Sequence, residues 1–437
     1  MGAGTACDWV RGDILGLMIP GHSAALQECA VEFLTDAFRA GGALAPDNRV
    51  IRITQFDDWV VGGAGRKLLL SVVYEKSVPS LPTELFVKFS RHFEDPLRDA
   101  SRFHMESEVR LAVLSGTPGF PVAVPLCLFA DFHRESGTGI LITERVAYGT
   151  GTIEPHYLKC RDYEMPEQLA HYRALIKALA RLAGTHKAAR LPDSLEQEFP
   201  FNLEKALAGN RIPYTLERLH KRIARYAEFA RSFPQLLPQN VRSPGFIERF
   251  SQEAPRFLEH ELLIRRLLHA DRDLIALCHW NANSDNAWFW RNPSGELECG
   301  LLDWGSVGQM PISLALWGCL SGAERQIWND HLDELLAVFV AEFRSCGGKR
   351  LDPDEIKSHL LLQVALMGLA WLLDAPLLIE REVPDLRQIV SRFDPRFTVH
   401  ETSRVQLHIM TNFLNVWDTR DLGLILGSVI HSTAANR

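Results

Sequence analysis

The stretch Leu274–Gly308, LIALCHWNANSDNAWFWRNPSGELECGLLDWGSVG, parses as three short apolar runs, Leu274–His279, Ala287–Trp290 and Leu297–Leu302. The second and third are joined by Arg291-Asn292-Pro293-Ser294-Gly295, where proline fixes φ and glycine permits positive φ, so the pair reads as a β-hairpin. A polar loop, Trp280 to Asp285, leads into the hairpin, and Asp303-Trp304-Gly305 leaves it. Polar groups therefore stand at both ends of apolar strands. A hairpin also folds Asn286 back toward Asp303, so that an amide oxygen and a carboxylate can converge on one ion. Hard oxygen ligands of this kind suit Mg²⁺, which takes few protein ligands and fills its other positions with phosphate and water.

These residues resemble the catalytic and metal-binding loops of the aminoglycoside phosphotransferase and choline kinase group, small-molecule kinases of the protein-kinase-like fold. That group carries His-x-Asp, an Asn five residues after the Asp, and a strand ending in a second Asp. Here His279 matches the His, Asn286 the metal-binding Asn and Asp303 the metal-binding Asp. The position of the catalytic Asp holds Asn281, whose amide cannot accept a proton as a carboxylate can. Asp285 is the nearest carboxylate able to compensate.

Upstream, the chain is consistent with a small kinase-like lobe. Val50–Thr54, Lys67–Tyr74 and Glu84–Phe89 alternate as strands, and Gly139–Val146 reads as a last strand entering a connector. Between the first two lies Val61-Gly62-Gly63-Ala64-Gly65-Arg66-Lys67. Glycines there let backbone N–H groups approach a phosphate closely, although no Walker motif or dinucleotide fingerprint is present. Lys88 sits inside an apolar strand, where burial demands a counter-ion or a phosphate. The amphipathic run Phe103–Leu114 follows about twenty residues later. The resemblance implies a Lys–Glu pair, with Glu108 the partner and Glu106 the alternative. It also implies that the segment around Glu144 is a hinge whose backbone bonds the adenine.

The remaining sequence reads as helical. Residues 1–45 form a helical N-terminal extension halted by Gly41-Gly42, 46–147 the small antiparallel lobe, and 148–437 a large helical lobe. Its first strong helical repeat, Leu169–Ala189, ends at His186, read as a structural hydrogen-bonding residue. Residues 190–270, broken by prolines, are where an acceptor would be selected. Leu360–Leu373 is too short to span a bilayer and reads as a buried helix. Trp288, Trp290, Trp304 and Trp317 read as core rather than as an aromatic cage.

The fold expected is α+β: a protein-kinase-like two-lobe architecture with a small antiparallel sheet and a mainly helical second lobe. With 437 residues, 46% of them hydrophobic, the chain can bury a sizeable core. Its net charge of -7 gives no basic footprint for nucleic acid. The eight cysteines are scattered without a C-x-x-C pair, so reduced, mostly buried thiols are expected. No apolar signal core opens the sequence, which leads to a cytoplasmic protein without a membrane partner. The resemblance implies ATP- and Mg²⁺-dependent phosphorylation of a small-molecule hydroxyl. Lys88 and Glu108, with Gly62, Gly63, Gly65 and Glu144, would hold nucleotide, Asn286 and Asp303 metal, and His279, Asn281 and Asp285 the acceptor chemistry. The alternatives that Asn281 raises are a nucleotide-binding pseudokinase with a regulatory role, and a transferase moving another part of the nucleotide.

Overall fold

A computed structural model describes residues 8–59 and 65–435. The chain divides into two compact units. The first comprises Met1–Glu154, Pro192–Phe199 and Gly300–Gly308; the second comprises Pro155–Leu191, Pro200–Cys299 and Gln309–Arg437.

The first unit is built on five antiparallel strands: β3 (Val50–Trp59), β4 (Arg66–Tyr74), β5 (Glu84–Phe89), β6 (Cys127–His133) and β7 (Thr138–Glu144), in the order β3-β4-β5-β7-β6. Period-2 alternation splits each strand between two faces. One face presents Leu68, Leu70, Val72, Leu85, Val87 and Phe89, and these pack with Phe33, Leu34 and Phe38 of the N-terminal helices. Those helices are α1 (Ser23–Glu28), capped by His22, and α2 (Ala30–Ala40). The chain leaves α2 through Gly41 and Gly42, the latter at φ +74°, which only glycine adopts freely.

The opposite face is covered by α4 (Met105–Ser115), whose Met105 and Val109 pack against Ala130, Phe132 and Leu141. Ahead of it come α3 (Pro96–Asp99), capped by Asp95, and a short 3₁₀ turn, Arg102–His104. α4 lies toward β6 and β7. The β4 and β5 part of the same face is where Lys67 and Lys88 stand directly opposite one another.

Two features differ from the sequence reading. The first 45 residues are not helical throughout, because β1 (Trp9–Arg11) and β2 (Met18–Pro20) form a hairpin before α1. Its turn is tied to β6: the Ile14 and Leu15 amides both donate to the buried Asp131 carboxylate at 3.0 Å. Strand β6 itself was also not anticipated.

The second unit is mainly helical. Its long helices include α5 (Gln168–Lys187), which packs against Leu332–Ser345, and Pro353–Trp371, whose residues from Leu360 to Leu369 are all buried. Among the described residues no single helix is long and apolar enough to cross a membrane. The bent pair Pro353–Trp371 and Ala375–Glu382 passes only jointly, by length and composition. The three apolar runs of the central stretch form β8 (Ile275–Cys278), β9 (Ala287–Arg291) and β10 (Leu297–Leu301). β9 pairs with β10, as the Pro-Ser-Gly turn requires, and β8 pairs with β11 (Gly308–Pro311). Trp288, Trp304 and Trp317 are buried and Trp290 is half-buried. The seven described cysteines are free thiols.

Candidate functional site

In the first unit the decisive group is Lys88. β5 carries it onto the α4 face of the sheet, where its Nζ lies 2.7 Å from Glu108 Oε2 and 2.6 Å from Asp303 Oδ1. Lys88 and Glu108 are buried, while the Asp303 side chain is 46% exposed. Burial opposes the ammonium charge, but Asp303 and Glu108 outweigh it and hold Lys88 above the usual lysine range. Glu108 occupies this place because it lies in the first turn of α4, on the face that packs on the sheet. Glu106 points elsewhere, to Arg110 and Arg134.

Asp303 follows β10 in a tight turn. Both Asp303 (φ 59°) and Ser306 (φ 63°) adopt the left-handed conformation, which costs a non-glycine residue energy and is tolerated best by Asn and Asp. The turn is pinned by Trp304, whose indole N–H donates to the Leu301 carbonyl at 2.9 Å, and by the Val307 amide donating to the Trp304 carbonyl at 3.0 Å. The partly exposed carboxylate thus stands on a rigid support.

Gly62 and Gly63 lie outside the described residues. Gly65, at φ +62°, comes so close to β5 that a Cβ there would sit 2.0 Å from the Phe89 carbonyl oxygen. Its requirement for glycine is therefore fully explained by strand packing. Glu144 turns its carboxylate to the Leu126 amide, 2.8 Å away, while its own amide donates to the Leu126 carbonyl and its carbonyl accepts the Thr143 hydroxyl.

In the second unit β8 runs into the loop 279–286. The buried His279 accepts the Asn281 amide on Nδ1 at 3.1 Å, which fixes the proton of a neutral ring on Nε2. Asn281 Oδ1 receives the Asn283 side-chain amide and, at 3.5 Å, the Lys159 ammonium. Asn286 donates its Nδ2 to the Asn281 carbonyl at 2.9 Å, so its oxygen is the atom left to coordinate or accept. Asp285 lies 3.8 Å from Lys159. Asn281, Asn286, Asp285 and His279 are thus gathered on one braced loop.

That bracing has further members. Ser284 donates to Asp162 at 2.8 Å, and Asp162 also accepts the Tyr172 hydroxyl. Fully buried, the Asp162 carboxyl is pushed up to about 7, against the pull of those two hydrogen bonds. Beneath the loop lies the helix Ile312–Leu320, where a Cβ on Gly318 would fall 1.6 Å from the Trp280 carbonyl oxygen. A Cβ on Gly322 would fall 2.8 Å from Asn283 Oδ1. The loop can rest on this segment only because both positions lack side chains. His186 accepts the Leu277 amide at 3.1 Å and so holds β8.

Lys159, Asp162 and Lys67 were missed by sequence reasoning. Lys67 alone had a signal, since it opens an apolar strand in the same alternation as its neighbours. Among the described residues no three His, Cys, Asp or Glu side chains gather as a metal cluster.

No protein-family profile and no curated protein matches the chain. Solved structures similar to it include an ethanolamine kinase from Plasmodium vivax, with 10% identity, TM-score 0.43, and coverage of 84% of this chain and 83% of that one. Another is a choline kinase from Cryptosporidium parvum, with 13% identity, TM-score 0.43, and coverage of 92% and 99%. A third is a spectinomycin phosphotransferase in complex with ADP and spectinomycin, with 13% identity, TM-score 0.39, and coverage of 87% and 94%. By name these are two small-molecule kinases and a phosphotransferase.

Proposed function

We propose that the chain is an ATP- and Mg²⁺-dependent phosphotransferase acting on a hydroxyl of a small molecule. The observation that carries the reading is Lys88, a buried ammonium clamped between Glu108 and the partly exposed Asp303. A buried lysine fixed by a helix glutamate is an oriented point charge suited to phosphate oxygens. Asp303 is the metal ligand proposed in the first unit, and Asn286 the one proposed in the second. Mg²⁺ would supply neutralisation of phosphate charge.

The acceptor hydroxyl must lose its proton when its oxygen takes the γ-phosphoryl group and ADP leaves. Asn281 cannot receive that proton, and its amide oxygen already accepts two donors. In this reading Asn281 keeps the loop in shape and Asp285 takes the proton, with Lys159 beside it. Phosphoryl transfer tolerates a weak base because its transition state is loose and depends mostly on positioning and charge neutralisation. Loss of a general base forfeits about 10² to 10⁴ in rate.

Asn281 is also the specific observation that favours a second reading, a nucleotide-binding pseudokinase with a regulatory role. Incubation with γ-labelled ATP, Mg²⁺ and a metabolite pool separates the two, with Asp303→Asn as the blank. Label on a small molecule with the unmutated chain alone is the expected outcome. Binding of nucleotide without transfer overturns the kinase reading in favour of the second.

A further inference from the structure

The face of the sheet that carries Lys88 carries a second lysine. Lys67 on β4 is the direct register partner of Lys88 on β5, so the two side chains project from the same face. Like charges placed opposite one another in this way are destabilising. Lys67 is also half-buried, and its ammonium is held below the usual lysine range, first by burial and then by the charge of Lys88. The same position brings it within the field of Glu108 and Asp303, on the face opposite the apolar core of Leu68 and Leu70.

The charges nearby supply a reason for it. Lys88 is set against two carboxylates, Glu108 and Asp303, which leaves that cluster with a net negative charge. A polyphosphate approaching it would be repelled. Lys67, which feels the charges of the same three groups, brings the cluster to neutrality and sets a second cation on the same face of the sheet. We infer that Lys67 is a second phosphate-binding residue, so that a metal-bound nucleoside di- or triphosphate is read by a pair of lysines on adjacent strands. The inference rests on the nucleotide reading above and names a further specificity-determining side chain for it.

Along the same face Leu69 and Phe86 continue the two strands and are half-buried, which offers an apolar surface next to the lysine pair. Lys67 therefore acts on the phosphates and not on the base. Calorimetric titration of the full chain and of Lys67→Ala and Lys67→Arg with Mg²⁺-ATP, Mg²⁺-ADP, adenosine and inorganic tripolyphosphate tests this. Loss of a charge-assisted phosphate contact weakens ATP and ADP about 10- to 100-fold in Lys67→Ala. Adenosine stays unchanged, and arginine recovers most of the loss. The thermal midpoint of Lys67→Ala should stay close to that of the unmutated chain, because relief of the repulsion from Lys88 offsets the lost attraction to Glu108 and Asp303.

Unchanged ATP affinity in Lys67→Ala overturns the inference while leaving the nucleotide reading intact. So does an equal weakening of all four ligands with a lowered midpoint, which would mark a strut. Lys67-dependent binding of tripolyphosphate without any preference for ATP supports the inference and removes the nucleotide reading. Failure of the unmutated chain to bind any of the four overturns both.

Discussion

Replacing Lys88 by methionine should destabilise the first unit in a pH-dependent way. The substitution keeps the length of the side chain and removes the counter-ion of Glu108, which is buried. Glu108 then either stays ionised without its partner or takes up a proton. The second course sets the ceiling. Neutralising at pH 7 a carboxyl whose ordinary pKa is 4.5 costs about 3 kcal/mol, at about 1.4 kcal/mol per pH unit. Independent experience with broken buried pairs, about 3 to 5 kcal/mol, agrees with that scale. Asp303 also loses a partner, but it is 46% exposed and adds at most a few tenths. Lys67 still attracts Glu108 and softens the loss.

The sign follows from linkage. Burial already holds Glu108 above its ordinary range against the pull of Lys88, and in the variant it rises further, so stability falls more steeply as pH rises from 4.5 toward 7. Urea unfolding of the unmutated chain, Lys88→Met, Glu108→Gln and the double variant, at pH 5 and pH 7, reads this directly. The single lysine variant should lose about 2 to 3 kcal/mol at pH 7 and much less at pH 5, and the double variant should recover most of it. A loss below about 1 kcal/mol at pH 7, or an equal loss at both pH values, would refute the argument that Glu108 depends on Lys88.

Two further predictions concern the second unit. Asp162, with its carboxyl pushed up to about 7 from an ordinary 3.8, makes stability fall as pH rises between those values. Asp162→Asn should flatten that slope in urea titrations, whereas an unchanged slope would mean that Asp162 is ionised throughout. Gly318→Ala forces the Trp280 carbonyl away from its place on the helix. It should cost about 1 to 3 kcal/mol by overpacking and abolish phosphate transfer, measured by thermal midpoint and by labelled-product formation.

The parts of this architecture that were legible are those whose signal is local. Strands β4 and β5 lie in stretches read as alternating, β7 is a short apolar run, and the turn Arg291–Gly295 announces its hairpin. β6 was not legible because Asp131 interrupts an otherwise apolar run. Its burial makes sense only once the amides of Ile14 and Leu15, more than a hundred residues away, are seen to satisfy it. The three-residue strands β1 and β2 are too short to show any period. At the candidate site, Lys88 stood out as a charge in an apolar strand. Lys159 left no trace, because its place beside Asn281 is set by tertiary packing, including the buried Arg404 that donates to the Lys159 carbonyl. Asp162 looked like an ordinary loop carboxylate for the same reason.

The left-handed turn at Asp303 ties side-chain chemistry to backbone conformation at one position. A change there to alanine removes a carboxylate and also imposes a backbone penalty of about 1 kcal/mol or more at φ 59°. Asparagine removes only the charge, and glycine only the side chain while relaxing the backbone. The three replacements therefore form a small orthogonal set. Comparing them would divide the contribution of residue 303 into an electrostatic share and a conformational share, a division that no single substitution at this position can make.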